Sequence, residues 1–283
     1  MSSTPSDPDG LLGMERDALS LKLLAAAMDG ARTLMSFWCG ALSSTLKLDG
    51  SPVSDADHAA DAAVRLSLGA MDMGRALVSE ESDSRPGAAC ETFLLLDPLD
   101  GTKDFLERAP EFCVCLAAIH RGEAIAGAIV APALGRAWYA GDACYAIDLD
   151  KSGEKVGSPC PLHVEGRAEQ ALQGLVSRRN GDSRSIQALQ ACGVTGLVAA
   201  SSAVKFGMLA EGRADIHVRH GATMGWDIAA GDAILSAAGG LVRTATGGRM
   251  RYDGADGFHN PAFVAVSRPS LLDPALAALA RAR

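Results

Sequence analysis

Four apolar-alternating stretches follow one another between residues 112 and 147, separated only by turn residues. Alternation at a period of two marks half-buried strands, and connections this short permit only antiparallel pairing. Residues 112–119 and 124–131 read as a hairpin about the His120-Arg-Gly-Glu123 turn, and 136–140 and 144–147 extend the same sheet. The middle of the chain is therefore committed to a large antiparallel sheet, and the flanks must cover it. Ahead of it the period is helical. Leu19, Leu23, Ala27, Leu34 and Trp38 mark a helix over 14–42. The breaker-rich loop Lys47-Leu-Asp-Gly-Ser-Pro-Val53 follows, and Ser54 is placed to cap a second helix reaching about Ala70. A short apolar run, 92–96, ends in Asp97.

From about residue 158 strands and helices alternate. Strands are expected at 174–177, 196–199, 214–218, 241–244 and 262–266. Helices are expected at 183–191, 201–211 and 226–238, the last stopped by Gly239-Gly240, with a C-terminal helix from about Pro269. This order predicts an α/β fold of layered elements in two closely packed lobes, 14–157 and 158–283, after a flexible stretch, 1–13.

Of the 283 residues, 48% are hydrophobic and 21% charged, enough apolar material for a sizeable core. A net charge of −8 argues against binding a nucleic-acid polymer, although a metal-bearing site could still take an anionic metabolite. No apolar run is long enough to span a bilayer, and MSSTPSDPDG lacks the charged and apolar regions of a signal peptide. The seven cysteines are scattered, with Cys113 and Cys115 in a C-x-C and no C-x-x-C. That pattern predicts neither disulfides nor zinc, and reads as a reduced, cytoplasmic protein with cysteines in its core.

The chemistry concentrates in Leu94-Leu-Leu-Asp97-Pro-Leu-Asp100-Gly-Thr-Lys-Asp-Phe105. A buried strand here leads into a loop that carries two carboxylates three residues apart. Pro98 and Gly101 shape a turn that lets Asp97 and Asp100 face one point, with the Leu99 carbonyl between them. Oxygen donors with no His or Cys nearby in the sequence suit a hard cation, Mg²⁺ or Mn²⁺. Beyond Gly101, free backbone N–H groups and the Thr102 hydroxyl can hold a phosphate. Taken alone, D-x-x-D-G is more often a strand end with an Asx turn. Three further segments accompany it: Glu80-Glu81 after an apolar pair, Asp55 and Asp57 at a helix start, and Gly225-Trp226-Asp227-Ile-Ala-Ala-Gly231. Each is ordinary in isolation.

Together, VSEES, LLLDPLDGTKDF and GWDIAAGDAILSAAGG resemble the signatures of the inositol monophosphatase superfamily of metal-dependent, lithium-sensitive phosphatases, over about Lys47 to Val266. Within it the chain looks most like the bacterial 3′(2′),5′-bisphosphate nucleotidases of the CysQ type. Gly50-Ser-Pro-Val-Ser, Ser202-Ala-Val-Lys205-Phe, Ala210-Glu-Gly212 and Phe258-His-Asn-Pro261 are similar to that group's motifs. Three positions depart. Asn180 stands where a histidine is usual, Gly225 where a Glu precedes Trp-Asp, and His220 where inositol-specific members carry a Glu.

The resemblance implies an α-β-α-β-α sandwich of the inositol monophosphatase and fructose-1,6-bisphosphatase type, with the metal loop in the first lobe. It implies two or three Mg²⁺ ions (Mn²⁺ substituting) on Glu80, Asp97, Asp100, Asp227 and the Leu99 carbonyl. Asp57 and Thr102, with Glu80, would activate water. Gly101 and Thr102 would hold the reacting phosphate, and Ser202, Lys205 and Arg219 the rest of the substrate. The implied substrate is adenosine 3′,5′-bisphosphate or its sulfated form, in sulfate assimilation or nucleotide recycling, with an inositol- or sugar-phosphate as the alternative. A monomer or homodimer is expected. Glu81 is assigned a supporting place and Trp226 a packing one; His58, His120, His163, His217 and His259 receive no role. Lys205 and Arg219 have bland readings too, as an exposed helix cation and a strand-end surface charge. Two other classes compete: a glycosyltransferase-like enzyme, which would not need the Trp-Asp helix, and a non-catalytic binder, which loss of a ligand would favour.

Overall fold

A computed structural model describes residues 15–40, 44–46, 52–73, 76–82, 90–164, 171–179 and 181–282. The expected flexible stretch 1–13, the loop residues 47–51 and Asn180 lie outside the described residues.

The chain begins with helix α1 (Arg16–Trp38), then β1 (Ser44–Leu46) and β2 (Pro52–Ser54), an antiparallel pair where a plain loop was expected. Helix α2 is Asp55–Ala70. Strands β3 (Leu77–Ser79) and β4 (Thr92–Asp100) lead to the short helix α3 (Thr102–Leu106). There follow β5 (Cys113–His120), β6 (Glu123–Ala131), β7 (Arg136–Ala140), β8 (Cys144–Leu149) and β9 (Lys155–Pro161). The last part comprises β10 (Gln173–Ser177), α4 (Ser183–Ala191), β11 (Gly196–Ala200), α5 (Val204–Ala210), β12 (Ile216–Arg219), α6 (Gly225–Ala237), β13 (Leu241–Thr244), β14 (Phe263–Val266) and α7 (Leu272–Arg281).

Strands β3 to β9 form one sheet in sequence order, antiparallel except for the β3–β4 pair. The β5–β6 turn has both central residues left-handed, Arg121 at φ 50° and Gly122 at φ 76°, as a two-residue hairpin requires. The second sheet has the order β11-β10-β12-β14-β13, with parallel pairs at β11–β10–β12 and antiparallel pairs beyond. Expectation missed β9, whose Gly157, Pro159 and Pro161 argue against a central strand. It is an exposed edge strand, where proline is tolerated. The expected lobe division at 157/158 falls inside it.

Strand alternation divides the core. Leu94, Leu96, Val114, Leu116 and Ala118 point to one face of the large sheet, against Leu19, Leu23 and Leu34 of α1 and Ala60 and Val64 of α2. Phe93, Leu95, Cys113, Cys115, Ala117 and Ile119 point to the other, against α5 and α6, where Val242, Phe263 and Ala265 of the second sheet join them. Helices α4 and α7 cover the far face of the second sheet through Ala188, Leu189, Ala275 and Leu279. The layers therefore run α, β, α, β, α. The expected sandwich is the observed fold.

Small residues set the middle spacing. A Cβ on Gly127 of β6 would sit 2.7 Å from the Ala230 carbonyl oxygen of α6 and 2.9 Å from its Cα. One on Gly231 would sit 2.3 Å from the Phe206 ring. The Ala-Ala-Gly run after Asp227 thus lets α6 lie directly on the sheet.

Candidate metal centre and adjoining pocket

The site begins with an irregularity in β4. Asp97 pairs with Cys115 and Asp100 with Cys113, so three steps along β4 oppose two along β5. Pro98, which has no N–H, lies within this bulge. In a regular strand two residues an odd number apart face opposite sides. The extra residue cancels that, and Asp97 and Asp100 both reach the α6 side. The two carboxylates were expected in a loop after the strand; they belong to the strand itself. Leu99 N–H donates to Asp97 Oδ1 at 2.9 Å and braces the turn.

Glu80 follows β3, and its N–H donates to the Leu96 carbonyl at 3.1 Å, which sets it beside Asp97. Asp227 enters from the first turn of α6. Its Oδ2 accepts the Met224 N–H at 2.7 Å, a cap that orients the carboxylate. Carboxylate oxygens of Glu80, Asp97 and Asp227 all lie within 4.8 Å of one another. Burial, then the charges of Glu80, Asp100 and Asp227, pushes Asp97 well above the usual carboxylate range. Burial, then Asp100, does the same to Asp227, against the Met224 N–H. An oxygen-only donor set in which Asp97 and Asp227 resist ionising fits a hard divalent cation, which would relieve that repulsion.

Asp100 stands next to this trio. Its Oδ2 accepts the Ala203 N–H at 2.5 Å and lies 3.9 Å from Cys113 Sγ, so the expectation of no cysteine near these donors fails, because the β4–β5 ladder pairs Asp100 with Cys113. Burial raises it to about 6 against the opposing effects of Lys205 and the Ala203 N–H. The Leu99 carbonyl accepts the Thr102 hydroxyl at 3.2 Å, and that hydroxyl also lies 3.4 Å from Asp57 Oδ1. Asp57 is 1% exposed, an unusual place for a first-turn helix acid. Gly101, at φ 96°, caps α3, and a Cβ there would meet the Glu111 carbonyl at 3.0 Å. This is a position where glycine is required.

A pocket continues from Asp100 and Asp227 along the second sheet, lined by Ser177, Ser202, Lys205, His217, Arg219 and Thr223 among others. Lys205 is not the exposed helix cation of the bland reading. It is buried, donates to the Ser202 carbonyl at 2.6 Å, and is held below its ordinary pKa by burial, with Asp100 opposing. Arg219 is half-buried rather than a surface charge; burial lowers it against Asp182 and Asp227. His217, given no role from sequence, is buried in this pocket wall. Its Nδ1 lies 2.9 Å from the Leu175 carbonyl, and burial, then Lys205, pushes it down to about 3. Ser202 has a left-handed φ of 54°, and α5 begins at Val204 rather than at residue 201.

Other supports were not legible in the sequence. Glu111 accepts the Ser201 N–H at 2.7 Å and an Arg178 Nη2 donor at 2.7 Å. Arg179 Nε pairs with Asp104 at 2.9 Å. These contacts tie the ends of β10 and β11 to the segment around α3. Their only sequence signal was the unusual Arg178-Arg179 pair. Gly225 is accounted for: a side chain there would meet Phe258 at 3.3 Å and Leu95 at 3.4 Å, an apolar enclosure. Trp226 packs at 5.8 Å from Phe258, as expected of an anchor. Glu81 Oε2 lies 4.0 Å from His58 Nδ1. The cysteines depart from expectation: Cys113, Cys115 and Cys144 are buried, but Cys39 and Cys160 are exposed. No helix among the described residues is long and apolar enough to cross a membrane.

The described residues thus form a five-layer sandwich with a carboxylate cluster where β3, β4 and the first turn of α6 meet. Residues 20–282 match the inositol monophosphatase family, and the chain belongs to it. It is 36% identical over 211 residues to the 3′(2′),5′-bisphosphate nucleotidase CysQ of Buchnera aphidicola, covering 73% of this chain and 76% of that protein. It is 33% identical over 221 residues to the CysQ of Salmonella typhimurium, covering 77% and 86%. The crystal structure of CysQ from Bacteroides thetaiotaomicron superposes with a TM-score of 0.75 at 25% identity, covering 89% of this chain and 98% of that one. The chain is thus a family phosphatase, and the family implies a divalent metal.

Proposed function

We propose that this phosphatase removes the 3′-phosphate of adenosine 3′,5′-bisphosphate, and of its sulfated form, in sulfate assimilation or nucleotide recycling. The carrying observation is the pocket that runs from Asp100 and Asp227 to Lys205 and Arg219, which sets two cationic groups beyond the carboxylate cluster. A bisphosphate needs such a place for its second dianion, whereas a neutral polyol does not. The nucleotidase relatives at 33–36% identity support the same reading.

Glu80, Asp97 and Asp227, with Asp100 and the Leu99 carbonyl beside them, would hold Mg²⁺. Bound divalent ions would neutralise the clustered charge and activate the attacking water. Thr102 Oγ1, held between Asp57 Oδ1 and the Leu99 carbonyl, would orient the attacking water and relay a proton toward Asp57 Oδ1. Backbone N–H groups at Gly101 and Thr102, which line the adjoining pocket, would hold the reacting phosphate's oxygens. Ser202, Lys205 and Arg219 bind the remainder of the substrate. The test is phosphate release with Mg²⁺ from a panel of adenosine 3′,5′-bisphosphate, inositol monophosphate and fructose bisphosphate. Equal turnover of inositol phosphate would move the reading to a sugar-phosphate phosphatase.

A further inference from the structure

Cys113 and Cys115 stand two apart on β5, so both side chains leave the sheet on the α6 face. Their sulfurs are 3.7 Å apart, and Cys113 Sγ is 3.9 Å from Asp100 Oδ2. One donor atom from each of Asp100, Cys113 and Cys115 lies within 4.8 Å of the others. Both cysteines are fully buried free thiols. In a tetrahedral zinc site, metal–sulfur bonds of about 2.3 Å and metal–oxygen bonds of about 2.0–2.2 Å put neighbouring donors roughly 3.5–3.8 Å apart. The 3.7 Å sulfur–sulfur separation lies within that range, and the 3.9 Å sulfur–oxygen separation is just beyond it, within reach of a small side-chain adjustment.

We propose that Asp100, Cys113 and Cys115 form a second metal site, selective for a thiophilic divalent cation of the zinc and cadmium type. Thiolate donors favour such ions over Mg²⁺, whereas the neighbouring oxygen-only cluster favours Mg²⁺. Binding releases the two thiol protons to solvent and forms two sulfur–metal bonds and one oxygen–metal bond. A fourth position stays open to water. Asp100 Oδ2 already accepts the Ala203 N–H, and the roughly four lone-pair sites of a carboxylate leave room for the thiophilic ion and for Mg²⁺ besides. The β4 bulge builds this site, because a regular strand would turn Asp100 to the opposite face. Asp100 also lines both the Lys205 pocket and the Glu80–Thr102 pocket. Capture of its carboxylate therefore inhibits turnover, a consequence that rests on the proposed phosphatase reading.

The test uses the full chain, stripped of metal and then supplied with Mg²⁺ to fill the carboxylate cluster. Cd²⁺ is titrated while its ultraviolet thiolate charge-transfer band is followed. The expected band saturates at one equivalent, persists in a Cys39→Ser, Cys160→Ser variant, and disappears in Cys113→Ser and in Cys115→Ser. Zn²⁺ should displace Cd²⁺ from the site. Absence of the band, or its survival in a folded Cys113→Ser, Cys115→Ser variant, overturns the site. Loss of the band in the Cys39→Ser, Cys160→Ser variant, which alters exposed positions alone, overturns it equally if the buried variants fail to fold. In the activity arm, Cys115→Ser retains Mg²⁺-dependent phosphate release and loses Zn²⁺ sensitivity by more than the about 10–100-fold that outer-shell partners are worth. Equal Zn²⁺ sensitivity with the band intact overturns the inhibition alone. Lack of phosphate release by the unmodified protein would overturn the phosphatase reading without touching the cadmium result.

Discussion

The Thr102 hydroxyl approaches Asp57 Oδ1 at 3.4 Å and joins the start of α3 to the first turn of α2, 45 positions earlier in the chain. Because the same hydroxyl also reaches the Leu99 carbonyl, its orientation is defined from two sides. Thr102→Val should lower kcat by about 10²–10⁴-fold, the usual worth of a positioned proton-transfer group, with little change in KM. Asp57→Asn should behave alike, and Thr102→Ser should keep most activity. Steady-state kinetics decide, and a KM effect with intact kcat would remove the pair from the chemistry.

Asp97→Asn and Asp227→Asn should abolish turnover yet leave the fold intact. In chelator, each variant should melt at or above the temperature of the unmodified protein, because one buried repelling charge is gone. With Mg²⁺ the order should reverse, because binding to the native state stabilises it. A variant retaining more than about a tenth of activity, a barrier change under about 1.4 kcal/mol, would release that residue from the site.

Lys205 and Arg219 should separate in their effects. Arg219→Ala should raise KM for adenosine 3′,5′-bisphosphate about ten- to a hundredfold, the worth of a charge-assisted contact, and spare a monophosphate. Lys205→Ala should harm both substrates, because Lys205 also donates to the Ser202 carbonyl and offsets Asp100. A selective loss in Lys205→Ala alone would reverse these assignments.

Gly127→Ala should destabilise the protein by about 1–3 kcal/mol, the usual cost of overpacking, since its Cβ would strike the backbone of Ala230. Denaturant unfolding measures this. Asp227 rides on the same helix, so Mg²⁺ affinity should fall as well. Unchanged affinity would mean α6 accommodates the methyl without shifting its first turn.

His217 should make the protein acid-sensitive. Its folded-state pKa is depressed from 6.5 to about 3, so below about pH 6.5 the unfolded chain binds a proton that the folded one does not. Its contribution is present above that pH and is lost as pH falls toward 3, at up to about 1.4 kcal/mol per pH unit. His217→Leu should flatten the stability profile between pH 6 and 4 by about that slope. Parallel profiles in urea unfolding would show that His217 titrates normally.

Much of this was legible from residue order. The alternation in 112–147 and the Arg121-Gly122 turn defined the antiparallel sheet, because side-chain period and turn chemistry act over a few residues. The motif residues announced the carboxylate site. Lys155–Pro161 was not legible, since its Gly and Pro residues are acceptable only at an edge, and edge status is a property of the assembled sheet. Lys205 was expected at the substrate, but its burial and its bond to the Ser202 carbonyl were not legible, because neither can be read from a local window.

Local sequence determined the elements, the position of the glycines and the choice of oxygen donors, all governed by backbone sterics and side-chain chemistry within short stretches. Tertiary structure decided which donors share a point. The β4 bulge turned Asp100 to the face of Asp97, the ladder set Glu80 beside it, and close packing at Gly127 brought Asp227 over the sheet. Each depends on contacts between residues distant in the chain, where the repulsion of three clustered carboxylates is sustained by the packing around them.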